Sequence, residues 1–561
     1  MDIERIALKH ALNNALQHGG KAQEKAVIGK VVAEVGDKSK IGDIVECVRA
    51  VVKRVNSMSI REIESALKEF GGLERKAHEE REQGLPELPN VGDMVVMRFA
   101  PGPSGPLHIG HARAAILNDE YVKRYGGKYI LRIEDTNPRK IVPEAYDMIP
   151  EDLDWLGVKY HETHVQSDRF PIYYEHAENL IKMGKAYICL CRAEEWRKMK
   201  LKGRPCPHRN MGVEHALELW EKMLNGEFGE GEASYVVKTS LSHPNPALRD
   251  FVGFRILYDQ HPRTGDKYCV YPLYNFSVAI DDALMGMTHV LRGKDHLNNT
   301  YRQHYIFDYF GWKKPEYIHY GLVSIEDITL KTSKILEGIK GGYFLGWDDV
   351  RLGTLRALAR RGIRPEAIRK LWISVGIKDV DIKFSWENLY AINREIVDAN
   401  AHRLFFIPNP KTFRLFGAPE YTASVPRHPS RKEFGDRRIV YKCVDGKGWV
   451  IIPGADIADM EKGTVFRLKD FCNVELVGDE DLRFHSMEVS ALPHGAKKVQ
   501  WLPAGYGEKM VVHMPSGEVV EGIVERGVEN YRGKIVQFER FGFVRINGRD
   551  CGRWIAYFAH R

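Results

Sequence analysis

The stretch MVVMRFAPGPSGPLHIGHARAA, residues 94–115, opens with β-branched and apolar residues and breaks into prolines and glycines before two histidines three residues apart. Such a pattern predicts a strand that ends in a tight loop and hands over to a helix. Backbone N–H groups and the positive end of the helix dipole then face a place where an anion can sit. Gly105 and Gly110 leave room for a nucleotide to approach the backbone. His108 and His111 share one face of the first helical turn and can donate hydrogen bonds to negative charge as it grows. Taken singly, each histidine reads better as a helix cap.

Working outward, the helical pattern ARAAILNDEYVKRY is followed by a strand-like KYILRIED, and strand, helix and strand in that order build a parallel sheet. A second passage of the same kind runs from KYCVYPLYNF through VLRGKDH to YGLVSI. These predict an α/β core in two halves, 86–185 and 266–345, divided by a Cys, Gly and Pro rich insertion at 186–265. Residues 1–85 read as helices followed by a charged linker, with a capping box formed by Ser59 and Glu62 ahead of Ile60, Ile63, Leu67 and Phe70. Helical spacing returns over 346–404. From 405 to 561 short β runs alternate with Gly and Asp turns, the signature of one or two barrels.

Composition narrows the class. The chain has 561 residues, too many for one core, with 43% hydrophobic and 28% charged side chains, which is ordinary for a globular protein. No apolar run approaches the roughly 20 residues that span a bilayer, and MDIERIALKHALNN lacks the apolar core of a signal peptide, so no membrane partner and a cytoplasmic location are expected. A net charge of +7 permits a polyanionic partner without requiring one. Of eight cysteines, three crowd one segment. There Cys189-x-Cys191 and Cys206-x-His208 form two close pairs whose thiols and imidazole suit a tetrahedral structural Zn²⁺, with incidental cysteines as the alternative.

At this length RFAPGPSGPLHIGHARAA resembles the HIGH motif of class I aminoacyl-tRNA synthetases, with flanks like those of the glutamyl branch in its archaeal form. TLKTSKIL resembles their second motif, KMSKS: Lys331, Ser333 and Lys334 match, while Thr332 and Ile335 depart from it. The resemblance implies that His108, His111, Lys331 and Lys334 are catalytic, and that Gly105, Gly110 and Ser333 join them in holding ATP with its Mg²⁺. It further implies substrate contacts from Arg98, Ala100, Glu134, Tyr274 and Arg292, with Glu134 on the α-ammonium and Arg292 on a glutamate γ-carboxylate. Gly102 stands where bacterial relatives usually have serine. Some glutamyl enzymes carry a similar Cys-x-Cys and Cys-x-His set in the insertion that binds the tRNA acceptor end.

The fold implied is a multidomain one: a Rossmann-like core with an acceptor-binding insertion, a helical N-terminal module, a helical connector and a C-terminal β-barrel domain for the anticodon. The activity implied is ATP-dependent ligation of L-glutamate to tRNA-Glu through glutamyl-adenylate. A buried guanidinium favours glutamate over glutamine, because an amide would leave its charge unpaired. Charging of tRNA-Gln, a protein partner for the N-terminal helices, a glutaminyl enzyme and an inactive RNA-binding descendant all stay open at this level.

Overall fold

A computed structural model describes residues 3–17, 20–35, 41–69, 85–326 and 328–561. It contains two compact units, Met1–Gly84 and Leu85–Arg561. The first consists of helices Ile3–Gln17, Glu24–Val35, Ile41–Val55 and Ile60–Glu69. Their apolar stripes meet in a core that includes Ala11, Val27, Val31, Val48, Ile63 and Leu67. The capping box forms: Glu62 accepts from the Ser59 N–H at 2.8 Å and donates its own N–H to Ser59 Oγ at 3.4 Å. Phe70 and residues 71–84 of the linker lie outside the described residues. The end of that linker is not loose, because Leu85 and Leu88 are buried and Pro86 O accepts from Tyr121 Oη at 2.9 Å.

In the second unit, strands Val96–Phe99, Lys128–Ile133 and Glu162–Val165 pair in parallel. Strands His289–Gly293 and Glu316–Tyr320 form another parallel pair. Thr288 stitches the two together, donating its N–H to Val96 O at 3.0 Å and accepting from the Val96 N–H at Oγ1, 2.8 Å. One difference from the sequence pattern concerns KYCVYPLYNF. Its strand, Val270–Pro272, runs antiparallel to Phe251–Ile256 and completes the insertion's four-stranded sheet with Ala186–Cys189 and Ser234–Val237. Pro272 ends the strand, and the helix Tyr274–Leu284 that follows returns the chain to the parallel sheet.

Beyond residue 400 two seven-stranded sheets form. The first ends in Arg403–Leu404 and Phe406–Pro408, the second in Lys498–Val499 and Leu502–Pro503. In both, the outermost strands are neighbours along the chain, so each sheet curls back on itself as a barrel, and no long unpaired edge is left. The helices Leu355–Arg361, Pro365–Val375 and Trp386–Asp398 connect core and barrels. Trp372 Nε1 donates to Ile109 O at 3.1 Å, and Arg113 reaches Gly321 O and Gly376 O at 2.7 and 2.8 Å. These bonds fix the helix Ile109–Tyr125, which starts at the histidine motif.

A four-residue strap, 352–355, holds both sequence motifs in place. Leu352 bridges to Thr329, Thr354 bridges to His108, Gly353 O accepts from the Ile109 N–H at 3.0 Å, and the Leu355 N–H donates to Leu107 O at 2.9 Å. Gly353 has no space for a Cβ, which would meet the side chains of Leu330 and Ile328. Gly353→Val should therefore cost about 1–3 kcal/mol by overpacking. Differential scanning calorimetry should show it, together with faster amide exchange over residues 328–340.

Candidate active site

The loop that leads into the helix Ile109–Tyr125 owes its geometry to the histidines. His108 is the N-cap of Ile109–Tyr125, and its Nδ1 accepts from the N–H groups of Gly110 and His111 at 3.1 and 3.4 Å. His111 Nδ1 accepts in turn from the His108 N–H at 3.3 Å. The rings stack with centroids 3.6 Å apart. Since both Nδ1 atoms are acceptors, the proton of each neutral ring sits on Nε2, which becomes the outward donor. Burial pushes His108 down to about 4 and holds His111 well below its usual range, His108 adding to the effect. Both rings are thus neutral donors at pH 7. Gly110 is needed beneath them, for a Cβ there would press on the His108 ring. Below the loop, Asp152 accepts from the Leu107 N–H at 2.8 Å and pairs with Arg356 at 3.1 Å.

Gly105, at φ +149°, lies under Thr332 and Trp347, so the two motifs touch at this point. Lys331 caps the helix Thr332–Lys340, which places Ser333 and Lys334 in its first turn. Lys331, Ser333 and Lys334 are exposed, and neither lysine has an ion-pair partner among the described residues. Ile335, where the motif departs from its usual residue, is buried with Phe344, Leu352 and Ala357 and anchors the loop to the strap. The departure therefore serves packing.

Around the strand ends, Arg98 places Nε and Nη2 on Asp282 at 3.0 and 3.2 Å. Arg132, fully buried, gives Nη1 to the same carboxylate at 2.7 Å and Nη2 to Glu134 at 3.0 Å. Burial acts to raise Asp282, but Arg98 and Arg132 outweigh it and hold the carboxyl at about 2. For Glu134 burial prevails over the arginines, and its carboxyl is raised. Ala100 is half-buried just past Phe99, and Gly102 lies under Glu134 O. Tyr274 begins its helix beside Arg292, whose Nη1 donates to Tyr274 Oη at 3.5 Å.

Arg292 is 5% exposed, and its Nη2 donates to Thr300 Oγ1 at 2.5 Å and Gln303 Oε1 at 3.0 Å. Its guanidinium lies 4.7 Å from the Tyr317 ring centroid, and its Nε has no partner. No carboxylate among the described residues pairs with it. A buried cation without a counter-charge is costly.

In the insertion, the ligand atoms of Cys189, Cys191, Cys206 and His208 all lie within 4.8 Å of one another. Cys189 and Cys206 have their sulfurs 3.7 Å apart. Tetrahedral Zn–S bonds of about 2.3 Å place sulfurs roughly 3.8 Å apart, so the set fits such an ion. Cys206 is the most acidic of the thiols, pushed down to about 5 chiefly by the hydrogen bond from Cys189. Trp196, Met199 and Met211 pack against the cluster.

A family model of the catalytic domain of tRNA synthetases class I (E and Q) matches residues 94–399, and one of their anticodon-binding domain matches 401–491. The chain belongs to these class I synthetases. A "Glutamate--tRNA ligase" of Methanocaldococcus jannaschii is 51% identical over 565 residues, covering 100% of both chains. One of Pyrococcus abyssi is 48% identical over 579 residues, again with 100% coverage of both. Among solved structures, a glutamate tRNA ligase from Elizabethkingia meningosepticum in complex with its amino acid aligns at TM-score 0.40 and 24% identity, covering 54% of this chain and 70% of that one. Both motifs lie within the residues matched by the catalytic-domain model. The anticodon match covers the opening strands of the first barrel, the strands of the second up to residue 491 and the hairpin Tyr421–Pro426 with Asp436–Tyr441, whereas residues 492–561 fall outside it. Asp282, Arg132, Thr300, Gln303 and Asp152 escaped the sequence reading. The one signal available was an acidic pair, Asp281–Asp282, in the otherwise apolar VAIDDALM.

A titration of the synthetase checks the histidine geometry. Because the folded-state value of His108 is depressed, the unfolded chain takes up the proton first, so this residue's contribution to stability is present above about 6.5 and is lost as pH falls toward about 4. Its ring resonances in NMR should accordingly show no titration between pH 5.5 and 8, with Nε2 as the protonated nitrogen.

Proposed function

We propose that this chain ligates L-glutamate to tRNA-Glu in two steps. The glutamate α-carboxylate attacks the α-phosphorus of ATP and displaces diphosphate. A hydroxyl of the terminal ribose of tRNA then attacks the acyl carbon of glutamyl-adenylate, and AMP leaves. The observation that carries the reading is Arg292, a buried guanidinium that has neutral partners only. The γ-carboxylate of glutamate completes it with two charge-assisted bonds, and the amide of glutamine does not.

In this reading Glu134 receives the α-ammonium, while Arg98 and Ala100 border the substrate and Tyr274 closes the pocket. The Nε2–H groups of His108 and His111 donate to the phosphates from one side. Lys331, Lys334 and Ser333, raised on the first turn of their helix, close from the other, where exposed lysines are free to follow the departing diphosphate. Positioning and charge stabilisation provide the acceleration. Mg²⁺, a hard cation with a preference for phosphate oxygens, arrives with ATP. Zn²⁺ on Cys189, Cys191, Cys206 and His208 would brace the insertion and supply no chemistry, since all four positions are protein ligands. The barrels and the insertion hold the tRNA, and cysteines clustered as metal ligands accord with a reducing, cytoplasmic location. The pocket itself is indifferent to which tRNA receives the glutamate, so tRNA-Gln is an admissible second acceptor.

Aminoacylation with labelled glutamate or glutamine, against tRNA-Glu and tRNA-Gln, tests this. Glutamate on tRNA-Glu is expected, and Arg292→Leu should lower kcat/KM for glutamate on the order of 100-fold or more, the usual result of breaking a buried charge pair. Charging by glutamine alone would end the proposal. For the metal, elemental analysis of purified protein should return about one zinc per chain, and Cys206→Ser should bring that to near zero with earlier unfolding of the insertion.

A further inference from the structure

The glutamate reading leaves a question about charge. At the neighbouring strand ends Arg98 and Arg132 share the carboxylate of Asp282, whereas Arg113 and Arg361, elsewhere in the core, are satisfied by backbone carbonyls and a tyrosine hydroxyl. Arg292 is held as firmly, but every group that touches it is neutral. Thr300 Oγ1 and Gln303 Oε1 accept from Nη2, Tyr274 Oη accepts from Nη1, and the Tyr317 ring lies against the guanidinium. Behind Thr300, His319 Nε2 lies 2.8 Å from Oγ1, and burial together with Arg292 pushes that imidazole down to about 4, so it too is uncharged at pH 7.

Gln303 is the least expected member of this cradle. It is completely buried on the helix Leu297–Phe310, and its Nε2 has no hydrogen-bond partner. A buried amide that leaves one end unsatisfied costs stability, and a glutamate of the same shape would accept from Arg292 through either oxygen and form an ion pair. Packing and electrostatics within the protein alone would therefore be better served by the acid. The amide makes sense if the counter-charge has to come from outside.

Resting on the proposed glutamate activity, we propose that Gln303 is a specificity-determining positioning residue, whose neutral amide oxygen orients Arg292 without neutralising it and so reserves the guanidinium for the substrate's γ-carboxylate. A carboxylate at 303 would satisfy Arg292 internally. The incoming γ-carboxylate would then meet a compensated site with a negative charge at its wall, while the amide of glutamine would be penalised far less.

The test is aminoacylation of tRNA-Glu with glutamate and with glutamine by the full-length wild type, Gln303→Glu and Gln303→Met. Gln303→Glu should lower kcat/KM for glutamate roughly 100-fold or more and shift the glutamine-to-glutamate ratio toward glutamine by at least about tenfold. Most of the glutamate loss should fall on KM. Gln303→Met, uncharged and of similar length, should retain the wild-type ratio, with only a modest rise in KM, which a purely structural role for the side chain would not produce. If Gln303→Glu does not fold, Thr300→Asp delivers a carboxylate to the same Nη2 and is read in the same way. An unchanged ratio in the acidic variant, or an equal shift in Gln303→Met, overturns the inference. A wild type that charges tRNA-Glu with neither amino acid instead refutes the glutamate reading on which it rests.

Discussion

Asp282 joins parts of the chain that lie far apart in sequence. It sits on the helix that follows the insertion, and it receives Arg98 from the first strand of the parallel sheet and Arg132 from the second. Glu134 and Asp281 then pair with Arg132, and Arg169 pairs with Asp281. Arg98, Arg132 and Arg169 are thus balanced by Glu134, Asp281 and Asp282, a cluster of zero net charge. Taking six ionised groups out of water is expensive, and hydrophobic replacements of equal shape would often be as stable. What the cluster supplies is position. It fixes the strand ends and the start of the Tyr274 helix relative to each other, and thereby sets the walls of the amino-acid pocket on both sides of a long insertion.

Against that neutral cluster, Arg292 has neutral partners only among the described residues. The contrast between these two kinds of buried arginine, one paired by the protein and one with neutral partners only, is what the proposed choice of glutamate rests on. Compensated guanidinium groups act as struts. The uncompensated one is the group that the proposed reading assigns to the substrate, with its neutral neighbours keeping its charge available.

Local patterns were legible where a chemical requirement constrains consecutive residues. The glycine and proline loop, the cap by His108, the cysteine pairs and the alternation of the barrel strands all follow rules that operate over a few positions. Glu162–Val165 was missed because an edge strand reading ETHV, half exposed, carries neither alternation nor an apolar run. Val270–Pro272 reads as a strand of the parallel sheet but pairs in the insertion, because strand propensity does not reveal which neighbour a strand will pair with. Gln303 and Asp282 were invisible for a related reason: a polar residue on a helix is ordinary until the fold shows that it is fully buried and what it faces.

The closed sheets also prescribe an order of assembly. All the strands of the second barrel lie between residues 410 and 503, inside the gap that separates the first barrel's opening strands from Glu508. During synthesis the inner barrel can close while the outer one still lacks most of its staves. The outer ring waits for Arg553–His560, and so does the connector, since Arg361 bonds Phe558 O and Ala559 O and Asn393 bonds His560. The link between the catalytic core and the RNA-binding end is therefore among the last parts of the second unit to be completed on a growing chain, and a polypeptide cut short in this region would keep a finished inner barrel on an unfinished hinge.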